Sequence, residues 1–183
     1  MSEGHTNTTK PLDSALLASV EAVALDVDGV LTRGDIIYME DRGEIKCFNV
    51  KDGLGIRMLH LAGIHVAVIT GRASGALNAR LDNLGVTNVW SGTKQKVPAL
   101  EEMADRLGTA LDRMVFLGDD LPDLGAMCRV GIPVAVADAH AMIRERARMV
   151  TAARGGRGAV RELAEALVQA QGKWERILEI VSA

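Results

Sequence analysis

Val23-Ala24-Leu25-Asp26-Val27-Asp28-Gly29-Val30-Leu31-Thr32 is a short apolar run that ends by presenting two carboxylates two residues apart. Such a run, closed by a glycine, reads as a buried strand followed by a turn. Side chains alternate along a strand, so positions two apart point the same way. Two acids on one side of a strand end repel each other unless a cation sits with them or one takes a proton. The pair therefore points to a metal or catalytic site. The plainer alternative is a polar strand end before a glycine turn.

Outward from that run, apolar segments alternate with amphipathic helical stretches. Strands are predicted at 22–25, 64–69, 87–90, 113–117, 132–136 and 149–150, and helices at 52–62, 73–84, 95–107, 121–129, 139–146 and 157–171. The run Ile64-His65-Val66-Ala67-Val68-Ile69 is nearly all apolar and β-branched, which suits the buried middle of a parallel sheet. The alternation predicts an α/β fold, a doubly wound parallel sheet covered on both faces. One segment breaks it. Residues 35–39 and 44–48 flank Glu40-Asp41-Arg42-Gly43, a β-hairpin signal that places a flap over 34–49, directly after the first strand. Its apolar residues need a cover, and the same hairpin from a second subunit is the simplest one. The alternative is a flap lying on its own domain.

The 183 residues, 48% of them hydrophobic, suffice for one full core and predict a single domain over 12–172. Residues 1–11 read as a disordered leader ended by Pro11, without the apolar stretch of a secretion signal. The tail 173–183 extends past the last core helix, and its role is unreadable. A net charge of −3 argues against general nucleic-acid binding, and no apolar run approaches membrane-spanning length. Cys47 and Cys128 lie far apart and form no metal or redox motif, so both are expected as buried or half-buried thiols in a reducing cytoplasm.

Three further signals follow predicted strands. Thr70-Gly71-Arg72 offers a hydroxyl, a glycine that allows close backbone approach, and a guanidinium, a set that suits a phosphoryl oxygen; alternatively, Thr70 caps the next helix. In Ser91-Gly92-Thr93-Lys94-Gln95-Lys96, a lysine at a helix start opposes the helix dipole, which an anion would explain; surface solvation is the plain alternative. Gly118-Asp119-Asp120-Leu121-Pro122-Asp123 carries three acids in five residues, more than helix capping needs, and suggests a hard cation with oxygen ligands. In doubly wound sheets, ligands bind beyond the carboxyl ends of strands where the strand order reverses. If the first and fourth core strands are neighbours there, Asp26, Asp28 and Asp119 converge on one cation, with Thr70 and Lys96 approaching from the other strands. These positions make a complete set for phosphoryl transfer.

The sequence resembles the haloacid dehalogenase superfamily of aspartate-nucleophile phosphatases. Asp26 through Thr32 is similar to its first motif, Thr70 to its second, Lys96 to its third, and Gly118-Asp119-Asp120 through Asp123 to its fourth, in the family's order and over nearly the whole chain after Val20. The resemblance implies Asp26 as nucleophile and Asp28 as general acid and base. It implies Mg2+ held by Asp26, the backbone carbonyl of Asp28 and Asp119, with Asp123 orienting a metal-bound water. Thr70 and Lys96 would bind phosphoryl oxygens, Lys96 being preferred to Lys94 by its family-like distance after Gly92. Asp120 either orients water or caps the helix.

Many relatives carry a cap domain. This chain has only the hairpin, so it resembles the capless, tetrameric branch, whose active sites are completed by neighbouring subunits. Within that branch, Asn49-Val50-Lys51-Asp52-Gly53-Leu54-Gly55-Ile56-Arg57 and Gly155-Gly156-Arg157-Gly158-Ala159-Val160-Arg161-Glu162 resemble phosphatases that free the eight-carbon sugar acid of the lipopolysaccharide inner core. A sugar acid phosphate offers a carboxylate, hydroxyls and a phosphate. Arg57, Arg72 and Arg80 bring forked donors, with Arg72 and Arg80 about two turns apart on one helix. Lys51 and the backbone around Asp52-Gly53, in the segment that begins Asn49-Val50, suit hydroxyls or carboxylate, and Gly71 suits close approach. By the resemblance, Arg157 reaches a neighbour's site. The alternatives are a surface ion pair for Arg57, a solvated face for Arg80 and a flexible helix leader for the Gly-Gly-Arg-Gly run.

Three other functions compete. A nine-carbon nonulosonate 9-phosphate phosphatase is the near one. A signalling receiver also gathers an acidic pair, a phosphoacceptor Asp, a Thr and a Lys, but its acidic pair precedes the phosphoacceptor and it lacks an acid in the place of Asp28. A non-catalytic regulatory module would not need the intact catalytic set.

Overall fold

The computed structural model describes residues 14–40 and 43–183; the leader 1–11, read above as disordered, lies outside the described residues. Along the chain run α1 (Ser14–Ala18), β1 (Ala22–Leu25), β2 (Ile37–Met39), β3 (Gly43–Ile45), α2 (Val50–Leu61), β4 (His65–Thr70), α3 (Gly75–Leu84), β5 (Asn88–Ser91) and α4 (Lys96–Leu107). Then follow β6 (Met114–Gly118), a 3-10 turn (Leu121–Asp123), α5 (Leu124–Met127), β7 (Ile132–Ala135), α6 (Ala141–Arg146), β8 (Met149–Val150), α7 (Ala159–Ala170) and α8 (Trp174–Ser182).

The apolar runs form one six-stranded sheet of order β5-β4-β1-β6-β7-β8. Every pair in it is parallel. Strands β1, β6 and β7 are wholly buried, as strands covered on both faces must be. Helices α1, α2 and α7 pack together on one side, and α4, α5 and α6 form a second contiguous group. The chain leaves β1 for β4 and β5, then returns across the sheet to β6, β7 and β8. The direction of winding thus reverses at β1 and β6. Asp26 N–H donates to Leu117 O (3.1 Å), carrying that ladder one residue past β1 and fixing where the first carboxylate emerges.

Two short helices were not foreseen. α1 precedes β1, and α8 follows the core helix α7 with Ile177 buried. The helix predicted over 121–129 is instead a 3-10 turn and a single α-turn, because Asp120 and Asp123 hold the start of the segment in a capping box around Pro122. Cys47 and Cys128 are exposed, not buried as expected: Cys47 alternates with the inward residues of the flap, and Cys128 sits at the end of α5.

The flap forms as predicted, an antiparallel pair with Tyr38 opposite Glu44. It has two different sides. Positions 44, 46 and 48 are half-buried, while 43, 45 and 47 face solvent. Ile36, Ile37, Tyr38, Met39 and Ile45 remain exposed, Tyr38 by 71%.

The glycine-rich run before α7 is not a flexible leader. Gly156 N–H donates to Val30 O (2.7 Å), and Gly155 N–H donates to Asp138 Oδ1 (3.0 Å). A Cβ on Gly155 would lie 1.6 Å from Gly29 O, so only glycine lets the run lie against the loop after β1. Gly155→Ala is therefore expected to lower the unfolding free energy by about 2–3 kcal/mol, read from urea denaturation. An unchanged midpoint would show that this contact is loose.

Candidate active site

Four strand ends place the site. Asp26 follows β1, Thr70 ends β4, Lys96 opens α4 after β5, and Asp119 follows β6. Asp26, Lys96 and Asp119 line a cavity of about 460 Å3 together with Asp28, Gly71, Arg72, Thr93, Lys94, Asp120, Pro122 and Asp123, while Thr70 lies outside this lining.

Lys96 is the buried hub. Its Nζ lies 2.7 Å from Asp26 Oδ1 and 2.6 Å from Asp123 Oδ1, and 6.0 Å from the centre of the Phe116 ring. Burial pulls the ammonium's pKa down, but Asp26 and Asp123 outweigh it and leave it raised, so the lysine stays charged. Asp123 is fully committed. Its Oδ1 takes Lys96, and its Oδ2 accepts from the backbone N–H of Asp119 (2.9 Å) and of Asp120 (3.3 Å). Asp123 thus fixes both the lysine and the backbone that carries Asp119. Asp120 is exposed, and its Oδ1 caps the 3-10 turn at Leu121 N–H.

Carboxylate oxygens of Asp26, Asp119 and Asp123 all lie within 4.8 Å of one another. One lysine cannot neutralise three acids. Burial, followed by repulsion from Asp123, raises Asp26 to about 6 even against the opposing pull of Lys96. Burial, followed by repulsion from Asp26 and Asp123, raises Asp119 to about 8. Carboxylates held this close, with unrelieved repulsion, fit a hard divalent cation with oxygen ligands. Asp26 and Asp119 are the members free to ligate it. Gly29 makes the approach possible: a Cβ there would fall 1.9 Å from Asp119 Oδ2, and its φ of +95° suits glycine.

Asp28 occupies a different setting. The Lys46 ammonium, from the end of the flap's second strand, bonds to Asp28 Oδ1, and its other partner is Glu44 Oε1 at 3.0 Å. Arg72 Nε lies 3.7 Å from Asp28 Oδ2. The Arg72 Nη2 donates to Glu44 Oε2 (2.8 Å) and to the Tyr38 hydroxyl (3.3 Å). Arg72 and Lys46 hold the Glu44 carboxyl below its ordinary value. The flap is therefore tied to its own chain's site through charged groups, while its apolar side stays uncovered. Thr70 is buried, and its Oγ1 accepts from Arg72 N–H (3.3 Å), fixing the turn that aims the guanidinium.

Several predicted positions do not reach the cavity. Asp52 is 1% exposed, and its carboxylate accepts from the backbone N–H groups of Gly158 (3.1 Å), Val160 (3.0 Å) and Arg161 (3.2 Å). It caps α7 from α2, so its side chain is not available to substrate. Burial raises its pKa against the pull of those three donors. Arg72 and Arg80 do not share a helix. Ser74 caps α3 by accepting from Leu77 N–H, which leaves Arg72 in the preceding loop. Arg80 instead packs on Gly53, with Nη2 3.5 Å from Asn49 O. Asn49 caps α2 through Lys51 N–H and donates to Gly156 O (3.2 Å). Val50, Lys51, Arg57 and Arg157 are exposed and, like Asn49 and Gly53, lie outside the cavity lining of the single chain. Lys46 and Glu44 were missed. Their signal was present: two opposite charges two residues apart in a hairpin strand share one face.

A profile of haloacid dehalogenase-like hydrolases matches residues 83–163. The 3-deoxy-D-manno-octulosonate 8-phosphate phosphatase of Escherichia coli K12 is 44% identical over 167 residues, 89% of this chain and 88% of that protein. The chain therefore belongs to the haloacid dehalogenase-like hydrolases. More particularly, it is similar in structure to the 3-deoxy-D-manno-octulosonate 8-phosphate phosphatase of Yersinia pestis, with TM-score 0.87, 41% identity and 88% of each chain covered. It is also similar to the Moraxella catarrhalis phosphatase of the same name, whose structure holds a magnesium ion, a phosphate ion and the sugar acid, with TM-score 0.89, 34% identity and coverage of 97% and 99%.

The raised carboxyls predict a pH signature. Their folded values exceed the unfolded ones, so the metal-free protein is favoured while they keep their protons and loses stability as pH rises through about 6 and then about 8. A divalent cation relieves the repulsion only once the protons have left. The thermal shift produced by saturating magnesium is expected to be larger at pH of about 8.5 than at about 5.5. Equal shifts would contradict this account of the cluster.

Proposed function

We propose that the protein is a magnesium-dependent phosphomonoesterase that works through an aspartyl-phosphate on Asp26 and releases phosphate from 3-deoxy-D-manno-octulosonate 8-phosphate. The observation that carries the proposal is the division of the two leading acids. Asp26 lies in the charged cluster with Lys96 and Asp119, while Asp28, two residues on, is held apart by Lys46.

In this reading, an Asp26 oxygen attacks phosphorus as the bond to the sugar oxygen breaks, and Asp28 gives that oxygen a proton. Asp28 then takes a proton from the water that attacks the aspartyl-phosphate, and the Asp26–phosphorus bond breaks. A magnesium ion held by Asp26, the Asp28 carbonyl and Asp119 supplies positive charge against the phosphate dianion. Lys96 adds a fixed charge on the same side, and Asp123 keeps Lys96 and the Asp119 backbone in place. The Thr70 hydroxyl and the Gly71 backbone suit phosphoryl oxygens, and Arg72 suits the substrate carboxylate.

The eight-carbon substrate is supported over the nine-carbon one by 44% identity, over most of both chains, to the Escherichia coli enzyme. A receiver reading is disfavoured because Asp28 follows the proposed nucleophile by two residues, where a receiver lacks an acid, and the acidic group Asp119 to Asp123 follows that nucleophile instead of preceding it. Asp26→Asn and Asp28→Asn should each lower phosphate release from the octulosonate phosphate by about a thousand-fold or more. Near-normal release by either variant would defeat the mechanism. Faster turnover of a nonulosonate 9-phosphate would move the substrate to the alternative.

We also propose that the working form is a homo-oligomer, a tetramer, in the cytoplasm. Support comes from the exposed apolar residues of the flap, Ile36, Ile37, Met39 and Ile45. Further support comes from Arg157, which is exposed outside its own chain's cavity and which the family resemblance assigns to a neighbour's site. Light scattering of the wild type should give a tetramer, and Ile37→Glu with Met39→Glu should give smaller species with reduced turnover. A fully active monomer would refute this.

A further inference from the structure

Asp28 is asked to do proton chemistry, yet nothing in the strand end that carries it fixes its carboxyl. The flap does. The Lys46 side chain is only 1% exposed, and its ammonium meets two oxygens, Asp28 Oδ1 and Glu44 Oε1. Glu44 is also tied to Arg72, so Lys46 and Arg72 together face two carboxylates, Glu44 and Asp28. The second Asp28 oxygen, Oδ2, is buried and accepts no hydrogen bond among the described residues, and Arg72 Nε lies 3.7 Å from it.

From this geometry we infer that Lys46 is the positioning residue for the general acid: by bonding to Oδ1, it fixes the orientation of the Asp28 carboxyl at the cavity wall. The Asp28 proton passes to the leaving oxygen as the phosphorus–oxygen bond breaks and Asp26 bonds to phosphorus. A proton returns to Asp28 from the attacking water as the Asp26–phosphorus bond breaks. The flap thus takes part in the chemistry of its own chain, besides offering its apolar side to solvent. The inference rests on the phosphatase reading.

The test exploits the leaving group. A sugar alkoxide needs a proton to depart, whereas 4-nitrophenolate does not. Because kcat/KM reports only steps up to the first irreversible one, it isolates formation of the aspartyl-phosphate. Lys46→Met is expected to lower kcat/KM for the octulosonate phosphate by about 100-fold, within the range for loss of general-acid catalysis, and for 4-nitrophenyl phosphate by less than about 5-fold. Lys46→Arg, which keeps a cationic donor, should recover a substantial part of the loss. Stabilisation of Lys46→Met by magnesium with beryllium fluoride, which mimics the phosphorylated aspartate without proton transfer, should match the wild type. Equal losses on both substrates, loss of the beryllium fluoride stabilisation, or a fully active Lys46→Met would overturn the role given to Lys46. A wild type that hydrolyses neither ester would instead overturn the phosphatase reading.

Discussion

Like charges forced together at one end of a buried sheet are the constraint on which this structure depends. Asp26, Asp119 and Asp123 come within 4.8 Å of one another around a single ammonium, Lys96. At an effective dielectric of about 20, two unit charges about 4 Å apart repel by about 4 kcal/mol. A fold holds such a cluster only if its supports are rigid. Here they are wholly buried strands, a capping box and two glycines. A Cβ on Gly29 would strike Asp119, and one on Gly118 would lie 2.5 Å from Asp123 Oδ2. The cluster is thus built at a cost in folding stability that a divalent cation offsets, and the same unbalanced charge makes the site ready for a phosphate-bearing substrate with its metal.

The two acids of the first motif divide the labour because their surroundings differ. Asp26 belongs to the sheet and shares Lys96 with Asp123. Asp28 belongs to the rim, where Lys46, Glu44, Arg72 and Tyr38 form one connected set of charges and hydroxyl. The flap therefore has two tasks on its two sides. Its charged side closes on its own chain, and its apolar side is left for another surface. The alternation of a strand lets one short hairpin do both.

What was legible in the sequence follows from how far each signal reaches. The strands were legible because a parallel sheet buried on both faces demands continuous apolar runs, and all six core strands lie within a residue of their predicted bounds. The acidic positions were legible because each follows such a run, so strand order alone brings them together. Side chains whose partners are remote were not legible. Asp52 is bound by amides 106 to 109 residues away, and a sequence shows no link between α2 and the start of α7. Arg72 was misplaced onto α3 because Ser74, not Thr70, caps that helix. Lys46 was passed over because charges on a surface hairpin normally serve solvation, and only the fold turns that face toward Asp28. A flexible leader stays open as an alternative for the glycine-rich run because glycine gives both freedom and close approach, and only the contact with Gly29 decides between them.

The account stands on Asp26 becoming covalently phosphorylated. The most direct measurement is an acid quench within the first turnover of octulosonate phosphate labelled in its phosphoryl group, followed by peptide mapping. The account predicts one labelled phosphoryl group on the peptide that carries Asp26, labile to hydroxylamine and absent from Asp26→Asn. Phosphate release with no protein-bound label at any quench time, or label on another residue, would contradict it.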